Sequence, residues 1–523
     1  MLEKTWVKIV ILVSCSCLVN AQPLPSLPLD TDNAALLYYQ AFLKYPEPDE
    51  VISFLVDDAN QEDMDHLFRT GEYRPFEELK GRVQRLEARF REYGIDLQET
   101  DTLESAVGKI ERYADTVDAN EPASSGPDST GKEGGVRYYH PFGKKFALHR
   151  DLAEYEKNRR LLETLDGQDL RARVDGYLDA CSDVFELVRD ASHLAKCDWG
   201  CQYSKGVACN FPQLVPMRLL SRLFQAKILK LAADGKVREA IEYCFVLDKM
   251  ALHVGDDAMI PYCVAISLEA RFFRLVQYLL PHAGSDNRLL TDLKESLSRR
   301  GSSPLSLSKA CQMDFQLSVQ AIRGNEALLE KARKAIQLHK QMTHDEEPIP
   351  SGEALVANAS MPLRQYCLKS CDIIDDQTKD FSQKQASLAE LTENFEHSKP
   401  LSQDPAHRMN HPELLLESAI SICRIDEERS FVLMTNDQAF FNVTLLSIDL
   451  LLHRMKEGRF PDTLPEGSAK DPFTGKDFDY VRNRGGFVLA WDRDNLSQTR
   501  SEEFRRYECK VLDKSATAQR ELE

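Results

Sequence analysis

The sequence has few glycines and prolines and no excess of basic residues. Its 24 glycines and 23 prolines are about 9% of 523 residues, against roughly 12% in average proteins, which excludes collagen-like and low-complexity chains. The 66 Lys and Arg are outnumbered by 84 Asp and Glu, giving a formal net charge of −18. An acidic surface repels nucleic acid and anionic membranes, and we find no basic patch in the sequence. We therefore predict no nucleic-acid partner.

The sequence also lacks the short motifs that identify many enzymes. It contains no Gly-x-Ser-x-Gly nucleophile elbow, phosphate-binding P-loop, Rossmann glycine pattern or haem-attachment Cys-x2-Cys-His. Enzymes without short motifs exist, so this absence lowers the expectation of catalysis without removing it. We predict no bound cofactor.

The first 21 residues have the features of a secretory signal peptide. Basic residues flank the start of an apolar run from Ile9 to Val19, and small residues precede an expected cleavage between Ala21 and Gln22. The run is well short of the ~20 residues that span a bilayer. We therefore predict a soluble periplasmic or secreted protein.

A lipid anchor is the alternative for this segment. The sequence LVSC that ends at Cys15 resembles a bacterial lipobox, whose cysteine is lipidated and becomes the N-terminus after cleavage. The apolar stretch before Cys15 is shorter than the usual ~7 to 15 residues, which favours cleavage before Gln22. An intact mass that begins at Gln22 would exclude the lipoprotein. Beyond residue 21 the longest apolar stretch, around Leu445 to Leu452, contains Asp449, so we predict no transmembrane segment after cleavage.

Apolar residues recur at helical spacing through most of the chain. The domain organisation that we predict is a signal peptide (1–21), an N-terminal helical region (22–118), a flexible linker or loop (119–135), a main helical-hairpin domain (136–430), a C-terminal helix with a small β-hairpin (431–511) and a disordered tail (512–523). The longest predicted helices are 76–93, 170–195, 214–233, 237–254, 258–280, 305–323, 326–341 and 437–456.

The connections between these helices predict the architecture. Short polar links such as Asp234-Gly235 favour antiparallel hairpins. Gly235 and Ala240 resemble the turn and close-packing positions of a tetratricopeptide hairpin, although no 34-residue period follows. Two short alternating runs, 478–481 and 486–491, predict a hairpin of strands. The predicted fold is mainly α, with antiparallel helical hairpins in an irregular bundle or α-solenoid and a small C-terminal β-hairpin.

Several sequence blocks carry a resemblance to a known group. They are NAALLYYQA (33–41), CDWG (197–200) with Tyr203-Ser204, GRFPD (458–462) and DPFTG (471–475). Together they resemble an uncharacterised family of exported bacterial helical proteins, and the last two blocks are also similar to the C-terminal regions of type II secretion pseudopilins. The resemblance implies export and a helical chain, but no activity or catalytic residue. The long apolar N-terminal helix of a pilin is absent, which argues against a filament-forming role.

The cysteines are the most suggestive residues in the sequence. Eleven of thirteen follow the signal peptide, and four form two Cys-x3-Cys pairs, Cys197/Cys201 and Cys367/Cys371, with Cys209 close to the first. In an exported protein this pattern favours disulfides or buried free thiols. Because side chains at i and i+4 share a helix face, a zinc or copper site and a redox site are the alternatives.

Histidines provide further candidates. His407 and His411 form a His-x3-His pair, and residues of other metal-ligating types lie nearby. Pro412 favours a loop at this position over a metal site. His140 and His149 flank a short aromatic segment, where a packed loop is favoured over a catalytic role.

The sequence supports three functional hypotheses. The leading one is an exported, non-catalytic helical binding or scaffold protein whose partner is a protein or polymer of the cell envelope. The first alternative is an extracytoplasmic, hydrolase-like enzyme with a pocket of dispersed residues such as His140, His149 and His407. The second is a thiol or metal-binding module built from Cys197, Cys201, Cys367 and Cys371.

Overall fold

The computed structural model describes the greater part of the chain. The described residues are 32–58, 61–73, 75–92, 95, 105, 107–109, 111, 143–165, 169–255, 257–284, 286–302, 304–343, 348–397, 427–483, 485–491 and 506–511. The predicted signal peptide and linker, the tail 512–523, and the candidates Cys15, Ala21, Gln22, His140, His407 and His411 lie outside these residues.

The described residues are mainly helical and include one small sheet, which confirms the predicted fold class. The α-helices are α1 (Ala34–Lys44), α2 (Glu50–Ser53), α3 (Gln61–Thr70), α4 (Pro75–Glu92), α5 (Gly143–Leu165), α6 (Leu170–Ala180), α7 (Ser182–Ser192), α8 (Leu214–Ala233), α9 (Val237–Val254), α10 (Met259–Ala283), α11 (Asn287–Arg300), α12 (Leu307–Arg323), α13 (Glu326–Thr343), α14 (Gly352–Asp375), α15 (Phe381–His397) and α16 (Glu427–Glu457). A π-helical turn spans Phe54–Asp58, and a 3-10 helix spans Tyr203–Ala208.

Polar side chains begin several of these helices. The Asn33 side chain accepts from the backbone N–H of Ala35, and Asp286 and Ser306 make the equivalent N-cap bonds at α11 and α12. Such caps satisfy backbone donors that the first helical turn leaves unpaired. Asn33 therefore fixes the start of α1.

Consecutive helices α8, α9 and α10 pack as hairpins at the centre of the chain. The turn between α8 and α9 has Gly235 at φ +76°, and the Lys236 N–H donates to Leu231 O at 2.8 Å. Only glycine adopts this backbone conformation without strain. Ala240 is fully buried, and its small side chain allows the two helices to approach closely.

Three antiparallel strands follow α16, in the order β1 (Asp479–Asn483), β2 (Gly486–Ala490) and β3 (Arg506–Lys510). The predicted β1–β2 hairpin is present, and β3 extends it with Phe487 opposite Cys509. Phe487, Leu489 and Cys509 are fully buried, so one face of the sheet contributes to the core.

The described residues form two compact units. The smaller comprises residues 46–180 and contains α2 to α6, and the larger comprises residues up to 45 and from 181 onward. In the smaller unit, α4 and α5 pack around Leu86, Phe90, Leu152 and Tyr155. Across the described ranges, we find no helix long and apolar enough to cross a membrane.

Candidate functional site

A buried arginine binds carboxylates from two helices of the larger unit. The Arg300 side chain, 6% exposed, lies at the end of α11 and donates from Nε to Asp248 Oδ1 of α9 at 2.7 Å. Its NH2 group donates to Glu269 Oε1 of α10, and NH1 donates to the carbonyls of Gly301 and Ser302, both at 3.1 Å. The guanidinium also lies over the rings of Phe272 and Phe273. Every guanidinium nitrogen is thus engaged.

A third carboxyl group completes this cluster. Asp437 of α16 is 1% exposed and Glu269 is fully buried, and neither carboxyl oxygen of Asp437 has a hydrogen-bond partner among the described residues. Burial raises the pKa of Glu269 to about 7 and raises the pKa of Asp437 well above its usual range. Burial and the neighbouring carboxyl groups of Glu269 and Asp248 therefore favour the protonated form of Asp437.

The chemistry available to this cluster is limited by its burial. The side chains of Asp248, Glu269 and Arg300 are 6% exposed or less, so a substrate cannot reach them without opening the helix bundle. A buried ion network of this kind joins the helices that contribute to it. We therefore assign Arg300 and its partners to the structure of the larger unit.

The sequence did not point to this cluster. Asp248, Glu269 and Asp437 are separated by up to about 190 residues, and no motif links them. The signal that could have found them is a charged residue on the apolar face of a predicted helix, since a buried charge requires a partner.

Two of the blocks that carry the family resemblance meet in the structure. The Asn33 amide donates to Asp198 O at 2.9 Å and accepts from Asp198 N–H at 2.8 Å. Trp199 stacks on Tyr38 at a centroid distance of 5.5 Å, and its indole N–H donates to His253 O. Segment 197–200 is therefore fixed against the start of α1.

His253 completes this contact as a neutral residue. Its Nε2 lies 3.0 Å from Leu194 O, and its Nδ1 lies 2.9 Å from the Tyr38 hydroxyl. Because a carbonyl only accepts, Nε2 carries the proton and Nδ1 accepts from Tyr38. Burial lowers the pKa of His253 to about 4. His253 therefore has a structural role in this contact. The sequence did not indicate that role.

Among the described cysteines the structure contains no disulfide. All ten described cysteines are free thiols. Cys367 and Cys371 lie on one face of α14, and their thiols donate to the α12 carbonyls of Cys311 and Ser308, each at 3.5 Å. They are therefore small buried residues at a helix contact, which agrees with the buried-thiol alternative at this pair.

The described residues contain no metal site of the expected kind. Among them, no group of three or more His, Cys, Asp or Glu is arranged to hold an ion. The two Cys-x3-Cys pairs therefore do not converge on a shared tetrahedral site. Of the histidine candidates, His149 lies in α5 without a described side chain.

An arginine-lined cavity lies in the smaller unit. Arg82, Arg85 and Arg89 recur along one face of α4, and with Leu86 they line a cavity of about 370 Å³ whose other wall is Asp151 and Glu154 of α5. Arg89 NH1 bonds Asp151 Oδ2 at 2.7 Å; the Arg89 side chain is half exposed, whereas that of Asp151 is 7% exposed. The i, i+3, i+7 spacing of the three arginines is visible in the sequence of the predicted helix 76–93. The negative net charge of the whole chain gives no indication of this local row.

Comparison of the chain with protein-family models, curated proteins and solved structures found no match.

Proposed function

We propose that the protein is an exported, non-catalytic helical binding protein that holds an acidic segment of a cell-envelope partner in the arginine-lined cavity of α4 and α5. The proposal rests on the local concentration of guanidinium groups in a chain whose net charge is −18. Export is supported by the signal-peptide pattern of residues 1–21. In the alternative with a lipidated Cys15, the same cavity would act at a membrane surface.

The cavity has the chemistry to recognise carboxylates. A guanidinium group donates two parallel hydrogen bonds to a carboxylate, and such charge-assisted bonds are the stronger kind. The bond to buried Asp151 fixes the Arg89 guanidinium at one end of the row. Arg82 and Arg85 lie one turn apart on α4 and both are exposed, so their guanidinium groups add positive charge to the same wall of the cavity.

A titration with labelled poly-L-glutamate tests the proposal. The full mature chain should bind the polymer, and Arg82→Ala/Arg85→Ala should weaken binding at least about tenfold, since a hydrogen bond to a charged group contributes roughly 1.5–3 kcal/mol. Arg171→Ala is the control, because Arg171 is a partly exposed α6 arginine outside the cavity. Equal affinity of the double variant and wild type would refute the assignment.

A further inference from the structure

The contact between α10 and α16 has a defined register. Phe273 of α10 packs edge-on against Phe441 of α16, with 6.0 Å between the ring centroids. Further along both helices, the side-chain amide of Gln277 donates to Thr444 Oγ1 at 3.0 Å. Later residues of α10 therefore meet later residues of α16.

Two carboxyl groups lie one turn earlier in the same contact. Glu269 precedes Phe273 by four residues and Asp437 precedes Phe441 by four residues, and side chains four residues apart share a helix face. Glu269 is fully buried and Asp437 is 1% exposed. Among the described residues, Glu269 Oε2 and both carboxyl oxygens of Asp437 have no hydrogen-bond partner. The contact therefore encloses two acidic groups whose oxygens are only partly satisfied.

The carboxyl groups outnumber the cation that faces them. Arg300 of α11 binds Glu269 and also Asp248 of α9, and Asp437 interacts electrostatically with the same guanidinium. Three ionised carboxylates around one guanidinium would leave two negative charges uncompensated. Burial removes the hydration that such charges have in water. The closed contact therefore favours the protonated forms of Glu269 and Asp437.

Other titratable groups border the site without balancing this charge. Tyr262 of α10 faces Asp437, and Cys311 of α12 faces Tyr262; burial raises the pKa of both and keeps them neutral. Lys249 of α9 is exposed and faces Asp248. Charged groups on the remaining neighbouring helices contact α10 or α16 elsewhere, namely Asp314 of α12 at Met259, Lys294 of α11 at Asp449 and Lys384 of α15 at Phe431.

We propose that the contact between α10 and α16 is a pH-sensitive latch, in which protons on Glu269 and Asp437 hold α16 against α10 and their loss at higher pH releases it. The raised pKa values of both groups agree with this direction, because a proton held only in the closed contact stabilises it below the raised pKa and not above it. The latch goes beyond the binding function and does not depend on the arginine-lined cavity.

Hydrogen–deuterium exchange of the full chain at about pH 5.5 and about pH 8.5 tests the latch. Labelling times are scaled to the intrinsic rate of amide exchange at each pH. We expect peptides of α16 around Asp437 to lose protection at least about tenfold at the higher pH, whereas peptides of α8 keep theirs. Equal protection of α16 at both pH values would overturn the proposal. An equal loss in α8 would also overturn it, because that result indicates general unfolding.

Asp437→Asn separates titration from packing. The amide has nearly the same shape as the carboxyl group and carries no charge at either pH, so the loss of α16 protection should shrink to less than about threefold. Asp449→Asn is the matched control on the same helix, because Asp449 pairs with Lys294 and both side chains are 41% exposed; it should keep the full wild-type response. A full response in Asp437→Asn would overturn the proposal. If that variant fails to fold, the wild-type comparison of α16 with α8 decides alone.

Discussion

At the scale of single residues, Arg300 has the most demanding environment in the larger unit. It is the cation shared by Asp248 and Glu269, and the buried Asp437 carboxyl group interacts electrostatically with the same cluster. Removing one member of a buried ion network is costly because the remaining charges lose their compensation. The sequence places these residues on predicted helices, but their partnership depends on how the helices pack.

Arg300→Met tests this partnership. It keeps an apolar stem over Phe272 and Phe273 but removes the charge, and we expect the free energy of unfolding to fall by about 3–5 kcal/mol. Urea unfolding followed by circular dichroism measures the change. The adjacent exposed Arg299 provides the control, since Arg299→Met should cost less than about 0.5 kcal/mol. Equal losses would show that Arg300 has no special role.

Glu269 gives the cluster a pH dependence with a defined sign. Its pKa is about 7 in the folded chain against an ordinary 4.5, so the folded state keeps a proton that the unfolded state releases. Stability from this proton is fully present below about pH 4.5 and is lost as the pH rises through 7.

Glu269→Gln removes this titration while retaining a hydrogen-bonding side chain. Between about pH 4.5 and 7, the stability of wild type relative to the variant should fall, by roughly 3 kcal/mol for a shift of this size. Unfolding curves across this range measure the difference, and Glu295→Gln on the exposed side of α11 is the control. A difference that stays constant or rises with pH would contradict the raised pKa of Glu269.

At the scale of elements, the periodicity of apolar residues predicted the ends of some helices correctly and those of others incorrectly. The bounds of α8 and α9 agree with the predicted 214–233 and 237–254, because their apolar periodicity and the Asp234-Gly235 turn coincide. The predicted helix 170–195 is instead divided at Cys181, where φ is −86° and ψ is 9°. Neither residue type nor periodicity marks that break. Strand β3 was also missed, since its charged sequence RYECK becomes a strand only by pairing with β2.

The turn at Gly206 is an element whose geometry can be tested directly. Gly206→Ala should destabilise the chain by roughly 1–3 kcal/mol more than Gly475→Ala. Both glycines have positive φ, but a Cβ at Gly475 meets nothing within 4 Å, so the difference isolates the close approach to α12. Thermal unfolding of the two variants measures it, and equal losses would show that the turn is free to move away.

At the scale of the whole molecule, the net charge gives no indication of a local cluster of arginines. The net charge of −18 predicted an acidic surface without a basic patch, yet α4 presents Arg82, Arg85 and Arg89 to one cavity. Charge arranged at helical spacing is visible only when each helix is considered by itself. The fold class followed from composition and periodicity, whereas the cavity also required Asp151 and Glu154, which lie more than 60 residues further along the chain.

Hydrogen–deuterium exchange of the chain with and without saturating poly-L-glutamate tests the proposed binding most directly. The account predicts slower exchange in peptides from α4 (Pro75–Glu92) and from the part of α5 that carries Asp151 and Glu154, and no such change in Arg82→Ala/Arg85→Ala. Slower exchange only elsewhere in the chain, or the same protection in the double variant, would contradict it.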